Sequence, residues 1–132
     1  MDYYDAAYAL WKTVAGVGLS EADERGNIAR YLERNPGQSF VALEDGRLVG
    51  AVLAGNDGRR GFLHHLAVSS ACRRRGVGRA LVSRCLSALA AQGMRKCHIF
   101  VVADNQDGKR FWSRIGWEER TTLIVMSSDV VA

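Results

Sequence analysis

Proline is nearly absent from this chain: Pro36 is the only one in 132 residues. There is no Pro-, Gly- or Ser-rich tract to serve as a linker, so one domain spanning residues 1–132 is expected. Cysteines are few. Cys72, Cys85 and Cys97 are odd in number and contain no C-x-x-C pair, which argues against a disulfide framework or a zinc site and for a reduced, cytoplasmic setting without a metal. No run reaches the ~18 to 20 apolar residues of a membrane span. The N-terminus carries Asp2 and Asp5 instead of the basic flank of a signal peptide, so no membrane partner is expected. Acidic residues are missing from one long stretch, because all fourteen lie outside positions 58–103, a segment with nine basic side chains. A polyanion would meet one positive region here rather than a uniformly basic surface.

What is present suffices for a core. At 48% hydrophobic composition, a chain of this length buries ~two-thirds of its unfolded surface without staples. Tyr4, Ala7, Tyr8 and Trp11 share a helical face and predict a helix from about Asp2 to Lys12. Ser20 offers an N-cap with Asp23 three residues on, and Ile28, Tyr31 and Leu32 line a second helix that Asn35-Pro36-Gly37 ends. Residues 39–44 and 48–54 flank Asp45-Gly46-Arg47 as a hairpin, and Asn56-Asp57-Gly58 turns into a third strand, Gly61 to Val68. Alternation along that strand puts His64 and His65 on opposite faces. A helix from about Gly76 to Gln92, capped by Gly93, follows. Then comes a strand from Lys96 to Ala103, apolar on both faces and therefore expected at the centre of a sheet. A short helix after Asp104-Asn105 ends at Ile115-Gly116, and Leu123 to Met126 predicts a last strand.

The turn between the histidine strand and the long helix carries the chemistry. It reads Arg73-Arg74-Arg75-Gly76-Val77-Gly78-Arg79. Glycines at a strand-to-helix turn leave backbone N–H groups uncovered where the helix dipole already favours negative charge, and the arginines add formal charge. A phosphate or pyrophosphate fits such a cradle. A dinucleotide fingerprint would need glycine where Leu81 stands, and a P-loop would need Gly-Lys-Ser/Thr, which the chain lacks. Nucleic acid is disfavoured as well, since no aromatic stacking platform interleaves with the basic residues.

The order of two helices, three strands, an anion-binding helix, a strand, a helix and a terminal strand resembles the GNAT superfamily of N-acetyltransferases. Two motifs carry the likeness: Arg73-x-x-Gly76-x-Gly78 after the histidine strand, and Asn105, Gly108, Phe111-Trp112 and Gly116-Trp117 after the next. The resemblance implies an α/β fold with a central mixed sheet, flanked by helices and splayed between the family's fourth and fifth strands, here with the first strand missing. It implies acetyl-CoA as cosubstrate, its pyrophosphate on Arg73 to Arg79 and its pantetheine arm along Leu66, Ala67 and Val68, with Asn105, Gly108 and Trp112 contributing. His64 is the candidate general base and His65 the second candidate, since a neutral imidazole titrates in the useful range.

The chain departs from the family's pattern at three places. Trp112 stands where many members carry a tyrosine that protonates the thiolate, and indole is no useful acid. Phe100 stands where peptide N-terminal acetyltransferases often place Glu, which disfavours that substrate. A small amine, an amino acid, a polyamine or a lysine side chain stays open as acceptor. The short C-terminal tail leaves room for a partner chain to complete the sheet, as in a homodimer. A CoA-binding sensor that has lost its chemistry is the alternative function, and a nucleic-acid binder the weaker one.

Overall fold

The computed structural model describes residues 1–130, which fall into two compact units: Met1–Val102 and a second beginning at Ala103. The first unit is a four-stranded mixed sheet in the order β1-β2-β3-β4 with helices on both faces. It opens with α1 (Tyr4–Thr13), whose apolar stripe buries Ala7 and Trp11. A 3-10 turn, Glu21–Asp23, follows Ser20, whose hydroxyl accepts from the Ala22 N–H while the Ser20 N–H donates to Asp23 Oδ2. This reciprocal cap fixes the start of the turn, and the extended backbone of Glu24 separates its end from α2 (Arg25–Arg34).

β1 (Phe40–Glu44) and β2 (Arg47–Asn56) form the expected hairpin. Both turn residues, Asp45 and Gly46, have positive φ, the conformation that a two-residue hairpin turn demands. β3 (Gly61–Val68) pairs antiparallel with β2. Ala51 and Leu53 of β2 point into a cluster with Trp11, Ile28 and Ala67, beneath α1 and α2. The alternating residues Val52 and Ala54 are equally buried on the other face. That face receives α3 (Val77–Ala91) through Leu81, Val82, Cys85 and Leu89. Trp11 is 2% exposed, and truncating it to alanine would cost ~3–5 kcal/mol.

Two expectations are corrected here. β4 (Cys97–Ile99) spans three residues and lies at an edge of the sheet, not its centre. The cause is the second correction: among the described residues 123–126 form no strand, so nothing pairs with the outer side of β4. Leu123, Ile124, Val125 and Met126 are each more than half exposed. Their apolar run reads as a strand in sequence, but a strand needs a ladder partner as well as the right side chains.

The second unit contains α4 (Gln106–Arg114). Trp112 is buried against Trp117 and Phe111, at ring-centroid distances of 4.6 and 5.1 Å.

Candidate active site

Three structural features converge on β3. The first is where its pairing with β4 stops. The parallel ladder covers Gly61↔Cys97, Phe62↔His98 and Leu63↔Ile99, while β3 continues to Val68. Ala67 and Val68 therefore stay paired with β2 alone, Leu66 lies beside them in an irregular stretch of that ladder, and the other edge of all three is free of any ladder to β4. An extended arm of a ligand could add to that edge.

The second feature is a bulge. In the β2–β3 ladder Ala51 pairs with Ala67 but Leu53 pairs with His64, so two residues of β3, His65 and Leu66, face Val52 alone. His65 absorbs the distortion with φ +55°, uncommon for a residue with a side chain. The extra residue overturns simple alternation: His64 and His65 both turn toward the α1/α2 side. The His64 ring meets Tyr31 of α2 edge-on at 6.0 Å, and the His65 ring packs on Trp11 of α1 at 5.3 Å. Their own centroids lie 6.4 Å apart.

Their surroundings differ. His65 Nε2 lies 2.7 Å from Asp23 Oδ1, with both side chains largely buried. Asp23 is fixed in turn by the Ser20 N–H on its other oxygen, and its backbone carbonyl accepts from the Tyr4 hydroxyl at 2.6 Å. His64 has aromatic company, Tyr31 and Phe100, and its pKa is lowered below 6.5, chiefly by burial and then by the neighbouring His65. At neutral pH His64 is an unprotonated imidazole, the form a proton acceptor requires. Tyr31 is pushed up to about 12, mainly by burial, and stays a neutral phenol. Asp23 and Tyr31 were legible as cap and helix stripe, but nothing local marked them as neighbours of the histidines.

The third feature is the turn into α3. Gly76 adopts φ +81° as the N-cap residue of α3, where no side chain among the described residues caps the helix, and an L-residue would be strained. The first-turn N–H groups of a fifteen-residue helix are thus left for an external acceptor. Arg73, Arg74 and Arg79 are exposed around this turn, Val77 is half-buried and Gly78 is buried. Arg75 is different, because its guanidinium pairs with Glu44 of β1 at 2.8 Å and approaches Cys72 Sγ at 3.6 Å. That carboxylate raises the Arg75 pKa and neutralises part of the cradle's charge. Among the described residues no cluster of three or more His, Cys, Asp or Glu side chains could hold a metal, and no helix is long and apolar enough to cross a membrane.

In the second unit, Asn105 and Gly108 form one local device. Asn105 Oδ1 accepts from the Gly108 N–H at 3.0 Å and caps α4. Any Cβ at position 108 would fall 2.5 Å from the Asn105 side chain. Trp112 turns into the aromatic cluster described above.

Known proteins share this architecture. The Acetyltransferase (GNAT) family profile matches residues 4–117. An acetyltransferase of Pectobacterium atrosepticum is 32% identical over 117 residues, 89% of this chain and 82% of that protein. An aminoglycoside 6'-N-acetyltransferase from Acinetobacter haemolyticus superposes with a TM-score of 0.79 at 17% identity, over 98% of this chain and 94% of its own. An aminoglycoside N-acetyltransferase solved in complex with CoA gives 0.75 at 19% identity, over 98% and 95% of the two chains. At such identities the structural likeness speaks for the fold, while the profile and the sequence relative speak for descent. With the uncapped helix turn and the interrupted ladder already in place, they show that the chain belongs to the GNAT family of acetyltransferases.

Proposed function

We propose that this acetyltransferase takes its acetyl group from acetyl-CoA and delivers it to a primary amine by direct attack in a ternary complex. The observation that carries the reading is the end of the β3–β4 ladder at Leu63, one residue before the half-buried His64, whose pKa is lowered. An extended pantetheine arm paired with the free edge at Leu66, Ala67 and Val68 would bring its thioester to the side of the sheet where both histidines turn. The diphosphate would sit on the uncapped turn of α3, held by backbone N–H groups and by Arg73, Arg74 and Arg79. Arg75, occupied by Glu44, would contribute less.

The reaction balances simply. The neutral amine nitrogen attacks the thioester carbonyl carbon, the carbonyl oxygen takes up the negative charge, and the C–S bond then breaks to release the CoA thiolate. His64 accepts the proton that the amine nitrogen loses. A strand N–H aimed at the developing oxyanion would stabilise it without reorganisation. Solvent protonates the thiolate, because Trp112 is no acid and is turned into its own aromatic cluster. Holding the two reactants together supplies much of the remaining acceleration. His65 serves as a positioning residue, since its ring nitrogen is committed to Asp23. The family match runs through both units, which supports treating them as one acetyltransferase domain.

Thiol release from acetyl-CoA in the presence of a broad panel of primary amines tests the reading. Amine-dependent release of one thiol per acetylated product is expected. Tight CoA binding with no release for any amine would favour a CoA sensor instead.

A further inference from the structure

The turn into α3 is tied to the β1–β2 hairpin by a backbone bond and by an ion pair. The Ser69 N–H, just past β3, donates to the Val49 carbonyl of β2 at 2.8 Å. The ion pair joins Arg75 to Glu44, the last residue of β1. Packing is tight here as well: a Cβ on Gly50 of β2 would fall 3.0 Å from Leu81 and 3.2 Å from Val77 of α3. The end of the hairpin is thus fixed beside the first turn of the helix, and it carries Glu44.

A carboxylate is an unexpected neighbour for an anion cradle. Residues 58–103 contain no acid, so the fold brings this one in from a separate part of the chain. Among the described residues Arg75 is the one member of the group Arg73, Arg74, Arg75 and Arg79 that sits in an ion pair. Both partners are about half exposed, at 54% and 45%, and a pair so exposed contributes little to stability. The backbone bond and the packing at Gly50 already join hairpin to helix, so the fold has small need of it.

Arg75 directly precedes Gly76, the N-cap residue of α3. Its long side chain can therefore serve either Glu44 or an anion on the helix N-terminus by rotation alone. A diphosphate is the stronger partner, because its charged oxygens match the planar guanidinium fork in bidentate fashion. Glu44 is not stranded by the exchange. Half exposed, it keeps contact with water, and Arg47 stands directly opposite it across the hairpin.

We propose that Glu44 is a positioning residue of the cofactor site: it holds Arg75 and competes with CoA for that guanidinium, so that CoA and acetyl-CoA bind more weakly, and leave more readily, than the arginines alone would dictate. The inference rests on the acetyl-CoA reading of the α3 turn and adds a control on it.

The test is calorimetric titration with CoA of the unsubstituted protein, Glu44→Gln, Arg75→Gln and the double variant, each at low and at raised salt. Glu44→Gln is expected to bind CoA at least ~threefold tighter, with a steeper dependence on salt, because one more guanidinium engages the ligand. In the thiol-release assay its KM for acetyl-CoA should fall by a similar factor while the KM for the amine holds. Damage to the hairpin would not produce that split. Arg75→Gln should cost little while Glu44 is present, yet erase the whole gain when combined with Glu44→Gln. Unchanged or weaker CoA binding by Glu44→Gln, or a gain that survives the loss of Arg75, overturns the proposal and leaves the cofactor reading standing. Failure of the unsubstituted protein to bind CoA overturns the cofactor reading, and this proposal with it.

Discussion

Asp23 and His65, 42 positions apart in the chain, meet at 2.7 Å and tie the turn before α2 to the bulge in β3. One carboxylate oxygen holds the Ser20 N–H and the other holds the imidazole. Removing the carboxylate strands both partners in a largely buried place. Asp23→Ala is expected to lower unfolding stability by about 2–3 kcal/mol in urea titrations at neutral pH. A double-mutant cycle with His65→Ala should show clear coupling, and purely additive losses would mean that the contact contributes little.

The bulge explains what could and could not be read in the sequence. Ser20 and Asp23 announced their cap, and Asp45-Gly46 its hairpin, because both depend on residues close in the chain. The glycine turn into α3 was legible for the same reason: Gly76 and the arginines are contiguous. The direction of His65 was not, since period-two alternation contains no sign of an inserted residue and the distortion is set by pairing with β2. The partnership with Asp23 follows from that bulge and was equally hidden. Leu123 to Met126 misled in the opposite sense, for strand-forming side chains are no guarantee of a ladder partner.

As the proposed proton acceptor, His64 should set the acid limb of activity. Burial lowers its pKa from 6.5, so the limb of kcat/KM should have its midpoint below that value. His64→Gln should abolish the limb and reduce kcat by ~10²-fold or more. An unchanged pH–rate profile would remove His64 from the proton-transfer role.

The same shift affects stability. The unfolded chain takes up the His64 proton near pH 6.5, whereas the folded chain does so only at lower pH. Stability should therefore fall as the pH drops below 6.5, until the folded histidine is itself protonated. His64→Gln should flatten this part of the stability curve in denaturant titrations between pH 5 and 7, values bracketing the ~6.5 of free histidine.

The arginines should not be equivalent. Arg73→Gln and Arg79→Gln are each expected to weaken CoA binding about fivefold, with a shallower dependence on salt. Arg75→Gln should do less, since Glu44 already pairs with that guanidinium. Equal losses at all three positions, measured by calorimetry, would contradict the assignment.

Two thiols should be silent. Burial pushes Cys85 up to about 12 and Cys97 up to about 11, so neither forms thiolate near neutrality. In the native protein at about pH 8, an aromatic disulfide reagent should leave both unmodified over the minutes of a thiol-release assay, and mass mapping of the labelled protein checks this.

Calorimetric titration with CoA and, separately, with pantetheine tests most directly whether the Arg73–Arg79 turn grips a diphosphate. Binding of CoA at least ~100-fold tighter than pantetheine, and weakening as salt is raised, is the result expected for an arginine-lined helix N-terminus. Equal affinity for the two ligands, or no binding of CoA, would contradict it.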